Sequence, residues 1–194
     1  MRQTDVSDNE LIEQYLSGSE SGLQTLIVRH QKKVYTSIFL LVKDKELAED
    51  IFQETFIKVI NTLRSGNYKE EGKFLPWVIR IGHNLVIDHF RKQKRMPMVR
   101  DTEDYSVMDS LKLTDENIED RIITSQIHDT IRQLVDFLPL DQREVVVMRH
   151  FADMSFKEIA ECTNVSINTS LGRMRYALIN LRKLIKEKQL VLAK

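Results

Sequence analysis

The sequence predicts an all-α protein, in which two small helical domains are joined by a flexible acidic linker. Apolar residues recur at helical spacing along most of the 194 residues. Only 6 Gly and 3 Pro are present, which argues against a turn-rich all-β fold and against a disordered chain. Residues 98–124 carry 3 basic and 8 acidic side chains, whereas both flanking segments are net positive. We therefore expect one domain over residues 1–97 and a second over 125–194.

Four helices are predicted before the linker. Ser7 and Glu10 have capping-box spacing and begin a short helix that ends near Gly18. Longer amphipathic patterns predict further helices over residues 21–42, 45–64 and 75–94. A polar loop, residues 65–73, separates the last two of these helices.

Residues 98–124 show neither helical period nor strand alternation, which predicts a linker. A helix over residues 125–137 and a break at Pro139 are expected next. Asp141 and Glu144 form a variant capping box for the following helix, and Ser155 and Ser166 are placed to cap two more. In the last helix, to about residue 188, one apolar stripe recurs at spacings of 4, 3, 4, 3 and 4 and is expected to face the core: Ile167, Leu171, Met174, Leu178, Leu181 and Ile185.

A short helix, a tight turn and a longer helix form a helix-turn-helix pattern after residue 155. Glycine on the outer face of the second helix permits a close approach, and arginines there can reach phosphates or a guanine edge. An ordinary helical hairpin with a basic outer face is the alternative interpretation. The outer face carries Thr169, Gly172, Arg173, Tyr176 and Asn180, with Arg175 beside it.

A second basic surface lies over residues 73–95, which hold 6 basic residues and 1 acidic residue. A narrow polar stripe with an amide and guanidinium groups suits contact with bases and phosphates. Its residues are Arg80, Asn84, Asp88 and Arg91, with His83 and Lys92 adjacent. The preceding loop, with Asn67, Tyr68 and Lys69, has the residues to shelter an unstacked base, whereas Phe74 and Trp77 are expected in the core.

An acidic arc, defined by Glu49, Asp50, Gln53 and Glu54, runs along the third predicted helix. A solvated acidic face is the default interpretation, and a docking surface for a basic partner is the main alternative. A metal site is a remote third, because no His or further Asp lies at ligand spacing nearby.

Composition predicts a soluble, cytoplasmic protein. The single cysteine, Cys162, excludes a disulfide framework and is typical of a reducing compartment. No apolar run of about 18 residues is present, and the first ten residues lack a signal-peptide core, so we expect no direct membrane insertion. The net charge of zero conceals two basic surfaces joined by an acidic segment, as in a bipartite polyanion binder or in two solvated helical faces.

Three groups of motifs resemble the bacterial sigma-70 family. The segment LAEDIFQETF (47–56) resembles region 2.2, and FLPWVIRIGHNLVIDHFRK (74–92) resembles regions 2.3 and 2.4. Residues 138–144, 155–160 and 168–177 resemble region 4. Their order, the acidic linker and the chain length are similar to those of the two-domain extracytoplasmic function (ECF) sigma factors, and the ending NTSLGRMRYALINLRKLI looks most like members from the Bacteroidetes.

The resemblance implies a transcription initiation factor that has no catalytic activity or cofactor and contains no metal. Core RNA polymerase, promoter DNA and an anti-sigma factor are its implied partners. Asp50, Gln53 and Glu54 fall where the family grips the polymerase. The implied contacts to the minus-ten element are Asn67, Tyr68, Lys69, Arg80, His83, Asn84, Arg91 and Lys92. Those to the minus-thirty-five element are Thr169, Arg173, Arg175 and Tyr176, with Gly172 beside them.

Two departures from the family pattern lie in the last helix. Ser170 replaces an apolar residue of the family, and Leu171 and Gly172 stand where many members place polar side chains that read bases. Helical periodicity puts Leu171 in the core, whereas the resemblance puts it near DNA, so both positions stay open.

Two other function classes compete with the sigma factor. An autonomous helix-turn-helix regulator would leave the polar stripe and the acidic arc unexplained. A gel shift on free DNA distinguishes the two classes, because a sigma factor of this kind should bind DNA weakly without polymerase. A metal-dependent nuclease using the Glu49–Glu54 carboxylates lacks a ligand set, and a Mg²⁺-dependent cleavage assay tests it.

Overall fold

The computed structural model describes residues 6–69, 73–95 and 134–187, and these residues fold as helices joined by short turns, with no strand among them. The predicted all-α class is confirmed. The predicted linker and most of the predicted helix over 125–137 lie outside the described residues. The helices are α1 (Asp8–Leu16), α2 (Glu20–Val42), α3 (Lys45–Arg64), α4 (Phe74–Arg95), α5 (Leu140–His150), α6 (Phe156–Thr163) and α7 (Ile167–Glu187).

Side-chain caps fix several helix starts where the sequence predicts them. Ser7 and Glu10 form a reciprocal capping box at α1, and Ser155 and Glu158 form another at α6. At α7 the Ser166 hydroxyl accepts a hydrogen bond from the backbone N–H of the third residue on, at 3.1 Å. These bonds satisfy backbone donors that have no partner inside the helix.

The predicted capping box at Asp141 and Glu144 is wrong. Helix α5 begins two residues earlier than this box requires, at Leu140, and its N-cap is Pro139, which makes no side-chain cap bond. Glu144 is buried and turns away from the helix start towards α4. A capping-box spacing in the sequence therefore does not decide where a glutamate points when a tertiary partner is within reach.

Helices α1 to α4 form an N-terminal bundle around one apolar core. Its fully buried side chains include Leu26, Val34, Val59, Leu63, Phe74, Val78 and Val86. Asp8 ties α1 to α2, since its carboxylate lies 2.7 Å from Arg29 and 2.8 Å from His30. Burial lowers the pKa of His30 below its usual value, although the Asp8 carboxylate opposes that shift.

Helices α5 to α7 form a C-terminal bundle, and α7 is rotated from the orientation that its sequence predicts. The buried residues of α7 are Ser170, Met174 and Ala177, whereas Ile167, Leu171 and Leu178 are exposed. At 100° per residue, the buried face is about 50° away from the predicted apolar stripe. The expectation that the whole stripe faces the core is therefore wrong. Small side chains at 170 and 177 let α7 approach its neighbours closely on that side.

The two bundles pack against each other, α5 on α2 and α6 on α4. Lys43 at the end of α2 donates a 2.6 Å hydrogen bond to the backbone carbonyl of Asp136. Lys33 pairs with Asp153 at 2.8 Å, and Arg143 reaches the carbonyl of Leu41 at 3.4 Å. A basic side chain on a C-terminal helix carbonyl is favoured by the helix dipole.

A glycine sets the spacing between α1 and α2. A Cβ at Gly22 would overlap the backbone carbonyl oxygen of Leu11, whereas a Cβ at Gly172, in the second turn of α7, would have no atom within 4 Å. We expect Gly22→Ala to lower the free energy of unfolding by at least about 1–3 kcal/mol, because backbone must move to make room. Gly172→Ala is the matched control and should raise stability by up to about 1 kcal/mol through helix propensity. Urea denaturation of both variants measures the difference, and equal effects would contradict the close approach at Gly22.

Candidate functional site

The acidic arc lies on the solvent side of α3. Asp50, Gln53 and Glu54 are exposed, and the opposite side of the helix packs into the core of the N-terminal bundle. Glu54 makes an ion pair with Lys58, one turn later, at 3.5 Å. Exposed pairs of this kind contribute little to stability. The arc is therefore a surface of fixed shape whose carboxylates can exchange their contacts for those of a partner.

The polar stripe predicted on α4 is also exposed. Arg80, Asn84, Arg91 and Lys92 lie at the surface, and Arg91 contacts Asp88 at 3.4 Å. The other side of α4 is buried through Phe74, Val78, Ile79, Gly82 and Val86. Because the buried side anchors the helix along its first half, Arg80 and Asn84 present a guanidinium and an amide on an anchored backbone, whereas Arg91 and Lys92 lie beyond the last buried residue.

His83, expected beside this stripe as a DNA contact, is buried instead. Its Nε2 lies 3.0 Å from Oε1 of Glu144 on α5, and both residues are only 6% exposed. The Nδ1 atom is buried without a hydrogen-bond partner among the described residues. In this arrangement His83 joins the two bundles and does not reach solvent.

The loop before α4 carries Asn67, Tyr68 and Lys69 at its surface. The ring of Tyr68 rests against Trp77, with 4.6 Å between ring centroids. Phe74 is fully buried, as expected, and Trp77 is half-buried and packs against the core, so the expectation of two core aromatics is met fully by Phe74 and in part by Trp77.

A cleft of about 290 Å³ opens between this loop, α4 and α6. One wall is basic and aromatic and the other is acidic, and Lys73 bridges them through an ion pair with Glu158 at 3.4 Å. Burial raises the pKa of the Cys162 thiol, at the base of the cleft, to about 12, so this cysteine stays protonated. The cleft brings together Asn67, Tyr68, Lys69, Trp77 and Arg80 with Glu158, Glu161 and Cys162.

On α7, the predicted residues divide into two groups. Thr169, Arg175 and Tyr176 are exposed, the last at 63%. Arg173 is held at the edge of the helix, with its Nε 3.6 Å from Asp141 and its Nη1 3.9 Å from Glu144. The structure therefore places Arg173 in the network around Glu144 and leaves Arg175 free to contact a ligand.

Sequence reasoning assigned no functional role to two features. Glu144, interpreted as a cap, contacts both His83 and Arg173, and no local pattern reveals a partner 61 residues away. Leu171, whose side stayed open, is 44% exposed and lies outside the buried face of α7. The small residues Ser170 and Ala177, seven apart, are the one signal that could have indicated the orientation of α7.

No three His, Cys, Asp or Glu side chains within the described ranges lie where they could hold a metal ion. Over the same ranges, no helix combines the length and the hydropathy that crossing a bilayer requires.

Comparison with known proteins identifies both halves of the chain. The family model described as Sigma-70 region 2 matches residues 26–96, and the model described as Sigma-70, region 4 matches residues 128–173. The RNA polymerase sigma-H factor of Pseudomonas aeruginosa is 28% identical over 183 residues, which are 90% of this chain and 93% of that protein. The ECF RNA polymerase sigma factor SigW of Bacillus subtilis is 27% identical over 91% of this chain and 95% of its own.

Solved structures share the fold. CnrH, in complex with the cytosolic domain of CnrY, has a TM-score of 0.65 at 20% identity and covers 94% of this chain and 99% of its own. RpoE from Bartonella quintana, in complex with the anti-sigma factor NepR, has a TM-score of 0.64 at 18% identity, over 84% and 96%. Region 2 and region 4 therefore occur here in the order, and over nearly the full length, of known ECF proteins: the chain belongs to the sigma-70 family and is an RNA polymerase sigma factor of the ECF group.

Proposed function

We propose that this sigma factor starts transcription by binding alone, using the acidic arc for polymerase, the polar stripe of α4 for the minus-ten element and α7 for the minus-thirty-five element. The observation that carries the proposal is the presence of two exposed basic surfaces and one exposed acidic surface on rigid helices of one chain. Phosphate contacts would supply affinity, and base contacts would supply register. The chain would act without catalysis, in the cytoplasm, where core polymerase and promoter DNA are found.

Strand separation would use the α4 stripe and the loop before it. Asn84 offers an amide donor and acceptor, and the half-buried Trp77 with Tyr68 offers an aromatic surface for an unstacked base. Lys69 and Arg80 supply positive charge at the same opening. Capture of an extruded base would offset part of the cost of unstacking it.

Simultaneous contact with both elements would require the bundles to separate. About 25 base pairs separate the two promoter elements, or about 85 Å at about 3.4 Å per pair. The structure instead packs α6 against α4 and buries His83, which the resemblance assigns to the minus-ten element. A fully extended chain of the same length as residues 98–124 would reach about 90 Å, enough to span that distance. His83 could thus contact the promoter only after the two bundles had separated.

An anti-sigma factor is a further proposed partner. The solved relative from Bartonella quintana is in complex with one, and its fold is similar to that of this chain. An anti-sigma factor that bound the acidic arc or the basic surfaces would therefore compete with polymerase and promoter DNA for them.

Reversing the charge of the acidic arc tests the docking surface. We expect Asp50→Arg with Glu54→Arg to abolish co-purification with core RNA polymerase, because like charges would meet at the interface. The fold should be retained, since exposed substitutions usually change stability by within about 0.5 kcal/mol. Glu13→Arg with Glu187→Arg, an equal charge change at exposed sites elsewhere, is the control. Retention of polymerase by the arc variant would show that the assignment is wrong.

Asn84→Ala tests the role of the stripe in strand separation. We expect it to reduce open-complex formation more than closed-complex binding, because its proposed partner is an unstacked base. Permanganate footprinting of the holoenzyme measures opening, and a gel shift measures binding. Equal loss on duplex and on pre-melted promoter would overturn this role.

Arg173→Ala and Arg175→Ala should differ. Removal of Arg173 takes a partner from the buried Glu144 and should lower the free energy of unfolding by about 1–3 kcal/mol. Removal of the exposed Arg175 should leave stability unchanged but cost about 1–3 kcal/mol of discrimination at one minus-thirty-five base pair. Thermal unfolding, with holoenzyme binding to single-base promoter variants, separates the two effects. A loss of base preference in Arg173→Ala but not in Arg175→Ala would reverse the assignment.

A further inference from the structure

The exposed side of α7 that carries Leu171 has an unusual composition for a surface that meets a polyanion. Asn168, Leu171, Gly172 and Arg175 follow the i, i+3, i+4, i+7 pattern, so they share one side of the helix. That side lies opposite the buried Ser170, Met174 and Ala177. It presents an amide, a branched apolar side chain, a bare stretch of backbone and a guanidinium in close succession.

Leu171 is the apolar member of this face; it is 44% exposed and is not among the buried residues of α7. Gly172, the next residue, has open space where a Cβ would lie. The absence of a side chain there lets a flat or grooved surface approach the backbone, which would bring the Leu171 methyl groups into contact with that surface. Arg175 lies one turn further on and limits the choice of surface to one that carries negative charge.

We propose that Leu171 is a specificity-determining residue, which selects thymine at the minus-thirty-five element by contact with the C5-methyl group. This inference rests on the proposed function of α7. The thymine methyl is the apolar feature of the major-groove edge of an A·T pair, where every other group is a hydrogen-bond donor or acceptor. A leucine cannot make the hydrogen bonds that a polar side chain makes to a base. It can still contribute binding free energy, because it covers a methyl group that would otherwise be exposed to water.

The same chemistry predicts a limit on the effect. Burial of one methyl-sized group changes a dissociation constant by about fourfold. Leu171 should therefore produce a moderate preference at one or two positions, weaker than that of a bidentate arginine or asparagine.

Substitution of deoxyuracil for thymine isolates the methyl group, because uracil keeps every hydrogen-bonding atom of thymine. Two randomised duplex libraries spanning the minus-thirty-five region, one synthesised with thymine and one with deoxyuracil, are selected on holoenzyme assembled from purified core polymerase and this chain. We expect three- to fivefold enrichment of T at one or two positions of the first library. The corresponding enrichment of U should be absent from the second.

Leu171→Ala should remove the thymine preference, and Leu171→Met, which keeps an apolar side chain of similar length, should retain part of it. Leu178→Ala is the matched control: it lies two turns further along α7, on nearly the same side, and is 41% exposed. Thermal unfolding checks that all three variants fold.

The outcomes distinguish the role of Leu171 from the proposed function of α7. Equal enrichment of T and U by the wild type, or a preference that survives Leu171→Ala, would overturn the role of Leu171 and leave the proposed function of α7 intact. An absence of enrichment at any position with either library would overturn the proposed function, and the role of Leu171 with it.

Discussion

The buried carboxylate of Glu144 is the interaction on which the arrangement of both halves depends. Glu144 lies on α5. Its Oε1 atom lies 3.0 Å from Nε2 of His83 on α4, and its Oε2 atom lies 3.9 Å from Nη1 of Arg173 on α7. A carboxylate so deeply buried is costly unless it is paired, and removal of one partner leaves the charge uncompensated. The helix-turn-helix and the packing of the two bundles thus share one polar network, so the position of α7 is coupled to the contact with α4.

The described contacts between a basic side chain of one bundle and a carboxylate of the other all have the same polarity. Lysines and a histidine come from the N-terminal bundle, and carboxylates come from the C-terminal bundle. The pairs are Lys33–Asp153, Lys43–Asp136, Lys73–Glu158 and His83–Glu144. Phosphates have the same sign of charge as these carboxylates, so the basic surface that packs against region 4 is chemically suited to DNA as well. Three of the four pairs are partly exposed and are weakened by salt, whereas the His83–Glu144 pair is shielded.

Most of the proposed site could be located from sequence because it lies on the exposed faces of single helices. The acidic arc and the α4 stripe follow from spacing alone, since neighbours at 3 and 4 residues must share a side. His83 could not be placed in this way, because its neighbours on α4 are both buried and exposed and only contact with α5 decides its side. Leu171 could not be placed either, since an apolar stripe shows which residues can be buried and not which of them a neighbour covers.

The sequence by itself determined the seven described helices, the caps at Ser7, Ser155 and Ser166, the charged surfaces and the family. Each of these depends on residues close together in the chain, whose backbone and side-chain chemistry acts locally. Tertiary structure alone decided the rotation of α7, the burial of His83 and the role of Glu144. These depend on how closely small residues such as Ser170 let helices approach each other. They also depend on which polar side chains come into contact when they are far apart in the sequence, as His83 and Glu144 are at a separation of 61 residues. Close packing and desolvation act only after the chain has brought distant segments together, so no local pattern contains them.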